Sequence, residues 1–265
     1  MSRRLRLDAE LVRRGLARSR EQAAELIATG RVAVAGQQAA KAASQVEAGA
    51  AITVAPTAGE PEYVSRGGHK LAGALAAFGE LTVAGRRCLD AGASTGGFTD
   101  VLLRNGAAHV VAADVGYGQL AWSLQSDARV TVLDRVNIRS LEPAQVAPAP
   151  DLVVADLSFI SLTLVIPALV ACAAPDADFV LMVKPQFEVG RELVGDGVVR
   201  DPQLRAAAVE SVARAAALSG LGVRGVTASP LPGPAGNVEY FLWLRSGAPP
   251  LDPDVVSDAI ATGPQ

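Results

Sequence analysis

The stretch DAGASTGGFTD, residues 90–100, follows a short apolar run, RRCL, and opens on an acid. An apolar run, a glycine-rich stretch and a helix-forming stretch spell strand, tight turn and helix, the local arrangement that holds nucleotide-like ligands at strand ends. The glycines fall at Gly92, Gly96 and Gly97, so the dinucleotide spacing GxGxxG is absent. Asp90 precedes the turn, and a second acid, Asp114, closes the next apolar run, HVVAAD. A dinucleotide needs its pyrophosphate beside the helix N-terminus, and two flanking carboxylates repel one. They suit a cationic, phosphate-free ligand instead. S-adenosylmethionine has that chemistry: a sulfonium, an ammonium, and a ribose diol that can donate to Asp114. The turn residues Asp90, Gly92, Ser94, Gly96, Gly97 and Phe98 are then the candidate cofactor cradle. A purely structural turn is the alternative reading of the glycines taken alone.

Such a cradle needs a sheet behind it. From Gly68 onward, helical and strand patterns alternate. HKLAGALAAFG, TGGFTDVLLRNG, LTLVIPALVACAA and DPQLRAAAVESVARAAAL read as helices. RRCLD, HVVAAD, TVLD, DLVVAD, ADFVLMV, GVRGVTAS and VEYFLWL read as strands. Over residues 68–247 this predicts an α/β domain, a doubly wound Rossmann-like sheet of seven strands with the last antiparallel. PQFEVGRELVGDGVVR, residues 185–200, is too Gly-rich for an element and reads as a loop over the site, where Arg191 and Arg200 can meet a nucleic acid. Residues 248–265 read as a loose tail.

Residues 1–58 read as a separate small α+β module and 59–67 as a polar linker rich in Gly and Pro. LDAELVRRGL and REQAAELIATG have helical spacing, with Ser19 as cap of the second; RVAVAG and AITVAP read as short strands. The chain's net charge is −3, yet residues 1–60 carry nine basic against six acidic side chains, and seven arginines lie in the first twenty residues. A local arginine cluster binds phosphates whatever the global charge; a solvated basic helix face is the plainer alternative. The longest apolar run, Leu162 to Ala174, is broken by Thr163 and Pro167 and falls short of the ~20 residues of a membrane span. The N-terminus has no signal-peptide core, and Cys88 and Cys172 form neither a CxxC nor a disulfide framework, so a cytoplasmic protein without a membrane partner is expected.

Two basic helices followed by a strand pair, with GRVAVAG at the joint, resemble the S4 RNA-binding domain across residues 3–55. That resemblance implies RNA contacts read by shape, with Arg4, Arg6, Arg18, Arg20, Arg31 and Arg66 as candidates. DAGASTGGFTD closely resembles the first motif of FtsJ-like methyltransferases. With SRGGHKL, DLSFISL, VKPQFEVG, GVVRDP and NVEYFLWL, the chain over residues 3–245 resembles the TlyA (haemolysin A) family of RNA ribose 2′-O-methyltransferases. One departure is the linker, where Glu62-Tyr63-Val64 stands in place of an Arg-led aromatic–Val pair. The resemblance implies a Lys-Asp-Lys-Glu tetrad at Lys70, Asp156, Lys184 and Glu239, with Asn137 facing the adenine amine. It also implies a substrate in the ribosomal RNA of one subunit or both, cytidine ribose as acceptor, and neither a metal nor an obligate protein partner.

The tetrad positions also make chemical sense by themselves. Asp156 and Lys184 end probable strands, Glu239 begins the antiparallel one, and Lys70 reaches in from the preceding helix. Lys184 follows the buried run LMV, and burial beside a second lysine favours the neutral amine, a general base for a ribose hydroxyl. Asp156, itself also beside the cofactor, then holds Lys184, while Lys70 and Glu239 orient the ribose. Rival readings are a base-amine methyltransferase using DLSF as its acid-to-aromatic turn, a cytosine C5 enzyme needing a rim Cys, an RNA-binding protein with an inactive methyltransferase fold, and a membrane-active haemolysin.

Overall fold

The computed structural model describes residues 4–14, 16–17, 20–47, 49–55 and 63–264. They form two compact units, residues 1–62 and 63–265. Arg18, the expected Ser19 cap and residues 59–62 of the expected linker lie outside the described residues.

The first unit contains β1 (Arg4–Arg6), α1 (Leu7–Arg13), α2 (Arg20–Ala28), β2 (Val32–Val34), β3 (Gln37–Gln38), β4 (Gln45–Glu47) and β5 (Ile52–Val54). The expected pair of short strands is β2 with β5, antiparallel, and β3 extends it. A second pairing, β1 with β4, was not expected from the sequence, because RLR and QVE carry one apolar residue each where β2 and β5 carry two or three. Leu7, Leu11, Ala23, Leu26, Ile27 and Val32 fill the small core, the helical spacing on α1 and α2 turning these residues to one side.

The second unit begins with α3 (Arg66–Ala77), β6 (Arg87–Ala91), α4 (Gly97–Arg104), β7 (His109–Asp114), α5 (Trp122–Gln125), β8 (Val130–Asp134), α6 (Pro143–Val146), β9 (Leu152–Ala155) and α7 (Ile166–Cys172). It continues with β10 (Asp178–Val183), α8 (Pro185–Glu188), α9 (Arg191–Val194), α10 (Pro202–Leu218), β11 (Leu221–Ala228), β12 (Tyr240–Ser246) and α11 (Pro253–Thr262). The seven strands run in the order β11-β12-β10-β9-β6-β7-β8, and β12 is antiparallel to both its neighbours while the rest are parallel. Central strands are buried on both faces, which is why VVAA and DFVLMV read as continuous apolar runs. Alternate residues feed two cores: Leu89, Val111, Val153 and Leu181 pack with α7 and α10, and Cys88, Val110, Val154 and Val180 with α3 and α4.

Three expectations are corrected. Residues 248–265 are no loose tail: α11, capped by Asp252 with Pro253 at its first position, buries Val256 and Ala259 against the sheet's edge region. Residues 185–200 hold two one-turn helices, α8 and α9, in place of a continuous loop; their turns are too short for any periodicity to register. Arg66 and Gly67, expected in the linker, already belong to α3. Leu162–Ala174 is a 3₁₀ turn and then α7, with Leu162, Val165, Ile166, Leu169 and Cys172 buried, and among the described residues no helix is long and apolar enough to cross a membrane.

Candidate active site

The carboxyl ends of β6, β7, β9 and β10 and the amino end of antiparallel β12 share one rim. After β6 the chain turns through Gly92 at φ +87, so close to the next strand end that a Cβ there would lie 2.5 Å from the Asp156 carbonyl oxygen. At Gly97, the first residue of α4, a Cβ would lie 2.8 Å from the Gly68 nitrogen, so α4 and α3 meet at their N-termini. The glycines of the turn therefore answer to close backbone approach as well as to turning.

Two cavities, each about 460 Å³, open on this rim. The first is lined by Ser94, Asp114, Gln119, Asn137 and Leu157 among others. The Asp114 carboxylate accepts the backbone N–H groups of Ser94 (2.8 Å) and Gly116 (2.7 Å), which fix it at the mouth with lone pairs left for hydroxyl donors. The Asn137 side chain accepts Arg139 N–H at 3.0 Å and caps the turn that follows. The second cavity is lined by Arg66, Lys70, Phe98, Asp156, Ser158 and Lys184 among others. Gly92, Ser94, Asp156 and Ser158 line both cavities and form the wall between them.

On that wall Lys184 Nζ lies 2.6 Å from Asp156 Oδ1 and donates to Ser158 Oγ at 3.0 Å. Lys70 Nζ donates to Glu239 Oε2 at 2.5 Å, and that pair is almost wholly buried, at 6% and 1% exposure. The structure thus brings Lys70, Asp156 and Lys184 to one cavity, with Glu239 directly behind Lys70. Glu239 is itself packed against Gly233, where a Cβ would stand 2.6 Å from Glu239 Oε1.

Asp90 lies elsewhere than expected. It lines neither cavity but is fully buried beneath the turn, where Thr99 of α4 donates to its Oδ2 at 2.7 Å and Oδ1 has no hydrogen-bond partner. Burial pushes its carboxyl up to about 7; the Thr99 hydrogen bond opposes that shift, and the nearby charges of Asp156 and Asp114 add to it. Gly96 likewise lines neither cavity. Cys88 is fully buried inside β6, where burial pushes its thiol up to about 12, so it offers no rim thiolate for C5 chemistry.

Of the expected RNA-contacting arginines, Arg6, Arg20, Arg31, Arg66 and Arg200 are engaged within their own unit. Arg6 and Arg20 both bind Asp8 at 2.9 Å, and these guanidiniums, Arg6 first, hold the Asp8 carboxyl far below its usual range. Both keep about half their surface exposed, at 46% and 59%. Arg31 donates to the Ala55 carbonyl at 2.8 Å, and Arg200 pairs with Asp196 at 3.0 Å. Arg4 sits in β1, and exposed Arg66 donates to the Pro232 carbonyl at 3.3 Å while lining the lysine cavity. Sequence reasoning missed Ser158, Thr99 and Gly233. The first two are hydroxyls inside motifs already singled out; Gly233 carries no local signal, because Glu239 approaches it only through the fold.

A nucleoside fits the first cavity: carboxylate acceptors at its mouth, a glycine wall allowing close approach, and apolar walls from Leu157, Ile138 and Val165. Comparison with known proteins agrees. Residues 63–246 match the FtsJ-like methyltransferase family and residues 5–52 the S4 domain. The 16S/23S rRNA (cytidine-2′-O)-methyltransferase TlyA of Mycobacterium tuberculosis is 63% identical over 271 residues, covering 100% of both chains. YqxC of Bacillus subtilis, a candidate rRNA methyltransferase, is 43% identical over 247 residues, 92% of this chain and 86% of that one. The solved structure of a candidate hemolysin from Streptococcus thermophilus superposes with a TM-score of 0.81 at 38% identity, covering 98% of this chain and 96% of the other. The chain belongs to the TlyA family of S4-domain-containing FtsJ-like methyltransferases, enzymes that use S-adenosylmethionine.

Proposed function

We propose that this enzyme methylates the 2′-oxygen of a cytidine ribose in ribosomal RNA of the small subunit, the large subunit or both. The observation that carries the reading is the shared wall: Asp156 lines the cofactor cavity and the lysine cavity, and Lys184 stands on it. A ribose in the second cavity then faces the donor across Asp156 and Ser158. The 63% identical relative, named for cytidine 2′-O-methylation of both 16S and 23S rRNA, supports the acceptor and the two-subunit range.

S-adenosylmethionine supplies a methyl group on a sulfonium. Asp114 holds the ribose hydroxyls of the nucleoside, and Ser94, Gly92 and Asn137 wall it in. The Lys184 amine takes the proton of the RNA 2′-hydroxyl as its oxygen accepts the methyl, and the ammonium so formed is held by Asp156 and Ser158. Lys70, itself fixed by Glu239, donates to the ribose and orients it. The transfer is in line, so alignment carries much of the acceleration. The arginines of the first unit grip the RNA backbone, and the acceptor nucleotide is turned out of its helix into the cavity. An RNA substrate of this kind implies work in the cytoplasm.

The test pairs labelled S-adenosylmethionine with unmodified small and large ribosomal subunits, wild type beside Lys184→Ala, followed by alkaline digestion. A methylated 2′-oxygen cannot attack its neighbouring phosphate. Label in alkali-resistant dinucleotides, absent with Lys184→Ala, is the expected result, and the labelled subunit names the substrate. Label released wholly as mononucleotides would mean a base-amine enzyme and would sink the reading, as would wild-type turnover in Lys184→Ala.

A further inference from the structure

The Lys184–Asp156 pair sits just beyond the point where the sheet stops holding its two strands together. The β9–β10 ladder ends at Ala155 opposite Leu181, while Asp156 N–H still donates to the Ala91 carbonyl at 3.1 Å and β10 stays paired with β12 as far as Val183 opposite Tyr240. Those bonds fix the two backbones through other strands, and a contact beyond the strand ends links the segments that carry the base and its carboxylate, 2.6 Å apart, directly to each other. Residues 157–161 form an irregular loop, and its Phe159 adopts φ +65, a conformation that a bulky side chain keeps only when its surroundings impose it.

Two residues on, the loop is bonded by Glu188, at the end of α8. Its Oε2 accepts the Ser161 hydroxyl at 2.5 Å, and its Oε1 accepts the Leu162 backbone N–H at 2.8 Å. Ser161 in turn accepts Thr163 N–H at 3.1 Å and caps the 3₁₀ turn 162–164. Between the two ends, Phe159 and Phe187 lie with ring centroids 5.3 Å apart. The two segments therefore close into a ring, joined at one end by Lys184 with Asp156 and Ser158, and at the other by Glu188 with Ser161 and Leu162. Glu188 is half-buried, and burial pushes its carboxyl upward against the pull of these two hydrogen bonds. Stability alone does not ask for a half-buried carboxylate there, since an apolar side chain would avoid the desolvation. Its geometry, two acceptors aimed at two donors on the opposite loop, serves register.

We propose that Glu188 is a positioning residue for the methyl transfer: its carboxylate locks the loop after Asp156 to the segment after Lys184, and so fixes the Lys184 amine against Asp156 and Ser158. This rests on Lys184 being the base. Glu188→Gln keeps one oxygen for Leu162 and an amide that can donate to Ser161, so it preserves the link without the charge. Glu188→Ala removes the link.

The experiment measures single-turnover methyl transfer to ribosomal subunits with the full chain, beside the affinity for S-adenosylmethionine and the thermal midpoint, for Glu188→Ala, Glu188→Gln, Ser161→Ala and Lys184→Ala. Glu188→Ala should lose on the order of 10- to 100-fold in rate at saturating substrates, the scale on which a displaced reacting group costs rate. Cofactor affinity should stay within about twofold of wild type. Glu188→Gln should restore the rate to within about fivefold of wild type, one neutral hydrogen bond's worth. Ser161→Ala should fall between, and adding it to Glu188→Ala should cost little more. The proposal is overturned if Glu188→Ala turns over at the wild-type rate, if Gln is as slow as Ala, or if the loss appears only in cofactor affinity. Full turnover by Lys184→Ala would instead remove the base, and the positioning role with it.

Discussion

Asp90→Asn should make the enzyme more stable at pH 8 while leaving it nearly unchanged at pH 4. In the folded chain the carboxyl is fully buried, one oxygen has no partner, and its pKa is pushed from 3.8 up to about 7. The folded state thus binds more protons than the unfolded state between those two values, and linkage makes stability fall as pH rises through that window. Below 3.8 both states hold the proton and the group costs nothing; above about 7 the full cost is present. The gap from 3.8 to about 7 is about 3 pH units, and at about 1.4 kcal/mol per unit the upper limit is about 4 kcal/mol. Asparagine is isosteric with the protonated acid, can still accept the Thr99 hydrogen bond, and cannot ionise. The assay is urea unfolding followed by tryptophan fluorescence at pH 4 to 8. Both tryptophans, Trp122 and Trp243, lie in the second unit, so the signal reports on the unit that contains Asp90. Other carboxylates titrate in both proteins, so the difference isolates Asp90 together with its coupling to Asp156 and Asp114. The variant's advantage should be near zero at pH 4 and grow to as much as about 4 kcal/mol at pH 8. A difference that stays flat with pH, or a variant less stable than wild type at pH 8, refutes the reasoning.

Other perturbations give separate readouts. Gly233→Ala should push Glu239 off Lys70, because its Cβ would stand 2.6 Å from Glu239 Oε1; turnover should fall on the order of 10- to 100-fold with cofactor affinity kept, as measured by single-turnover kinetics and calorimetry. Lys70→Met should cost about 3–5 kcal/mol in urea unfolding by leaving Glu239 buried and unpaired, and the Lys70→Met/Glu239→Met double variant should regain most of it while remaining inactive. Gly92→Ala, strained at φ +87 and driven into the Asp156 carbonyl, should lose cofactor binding by calorimetry as the shared wall shifts. Arg6→Ala and Arg20→Ala should each weaken binding to ribosomal subunits and lower the slope of log affinity against log salt by about 1 in filter binding, since each removes one phosphate contact.

The sheet was legible because parallel strands buried on both faces write themselves as apolar runs, and Gly and Pro punctuate the connections. The strands β7, β9, β10 and β12 are marked by such runs. What stayed illegible is short or depends on the tertiary fold. The strands β1, β3 and β4 have two or three residues each, and α8 and α9 one turn, too few for a period to show. In the tail, α11 is announced by Asp252-Pro253, a cap and first-turn signal, but the prolines before it masked the helix. At the site, charged residues at strand ends could be read, whereas their partners could not. That Lys184 bonds Ser158, and that Glu188 reaches the loop 27 residues earlier, follows from two strand ends lying side by side, which no local pattern encodes. Asp90 shows the reverse limit: the sequence marks it as an acid at a glycine turn, but only the fold reveals that the side chain is buried under the turn and lines neither cavity.

The arrangement of charge on the rim argues for chemistry over stability. Four ionisable groups, Lys70, Glu239, Asp156 and Lys184, sit together where desolvation is costly, joined as two ion pairs at 2.5 and 2.6 Å. Well-packed apolar side chains would fill that volume at no cost in stability and often with a gain. Pairing limits the penalty without removing it. What pairing does supply is a lysine amine whose position is set by a carboxylate and a hydroxyl, at the boundary of two cavities that share a wall. Asp178, another deeply buried acid, bonds Arg86, Arg245 and Trp243 at the opposite end of β10, where it ties three strand ends together and lines neither cavity. Buried charge thus does two different jobs at the two ends of one strand, and only at the carboxyl end is it left open to a substrate.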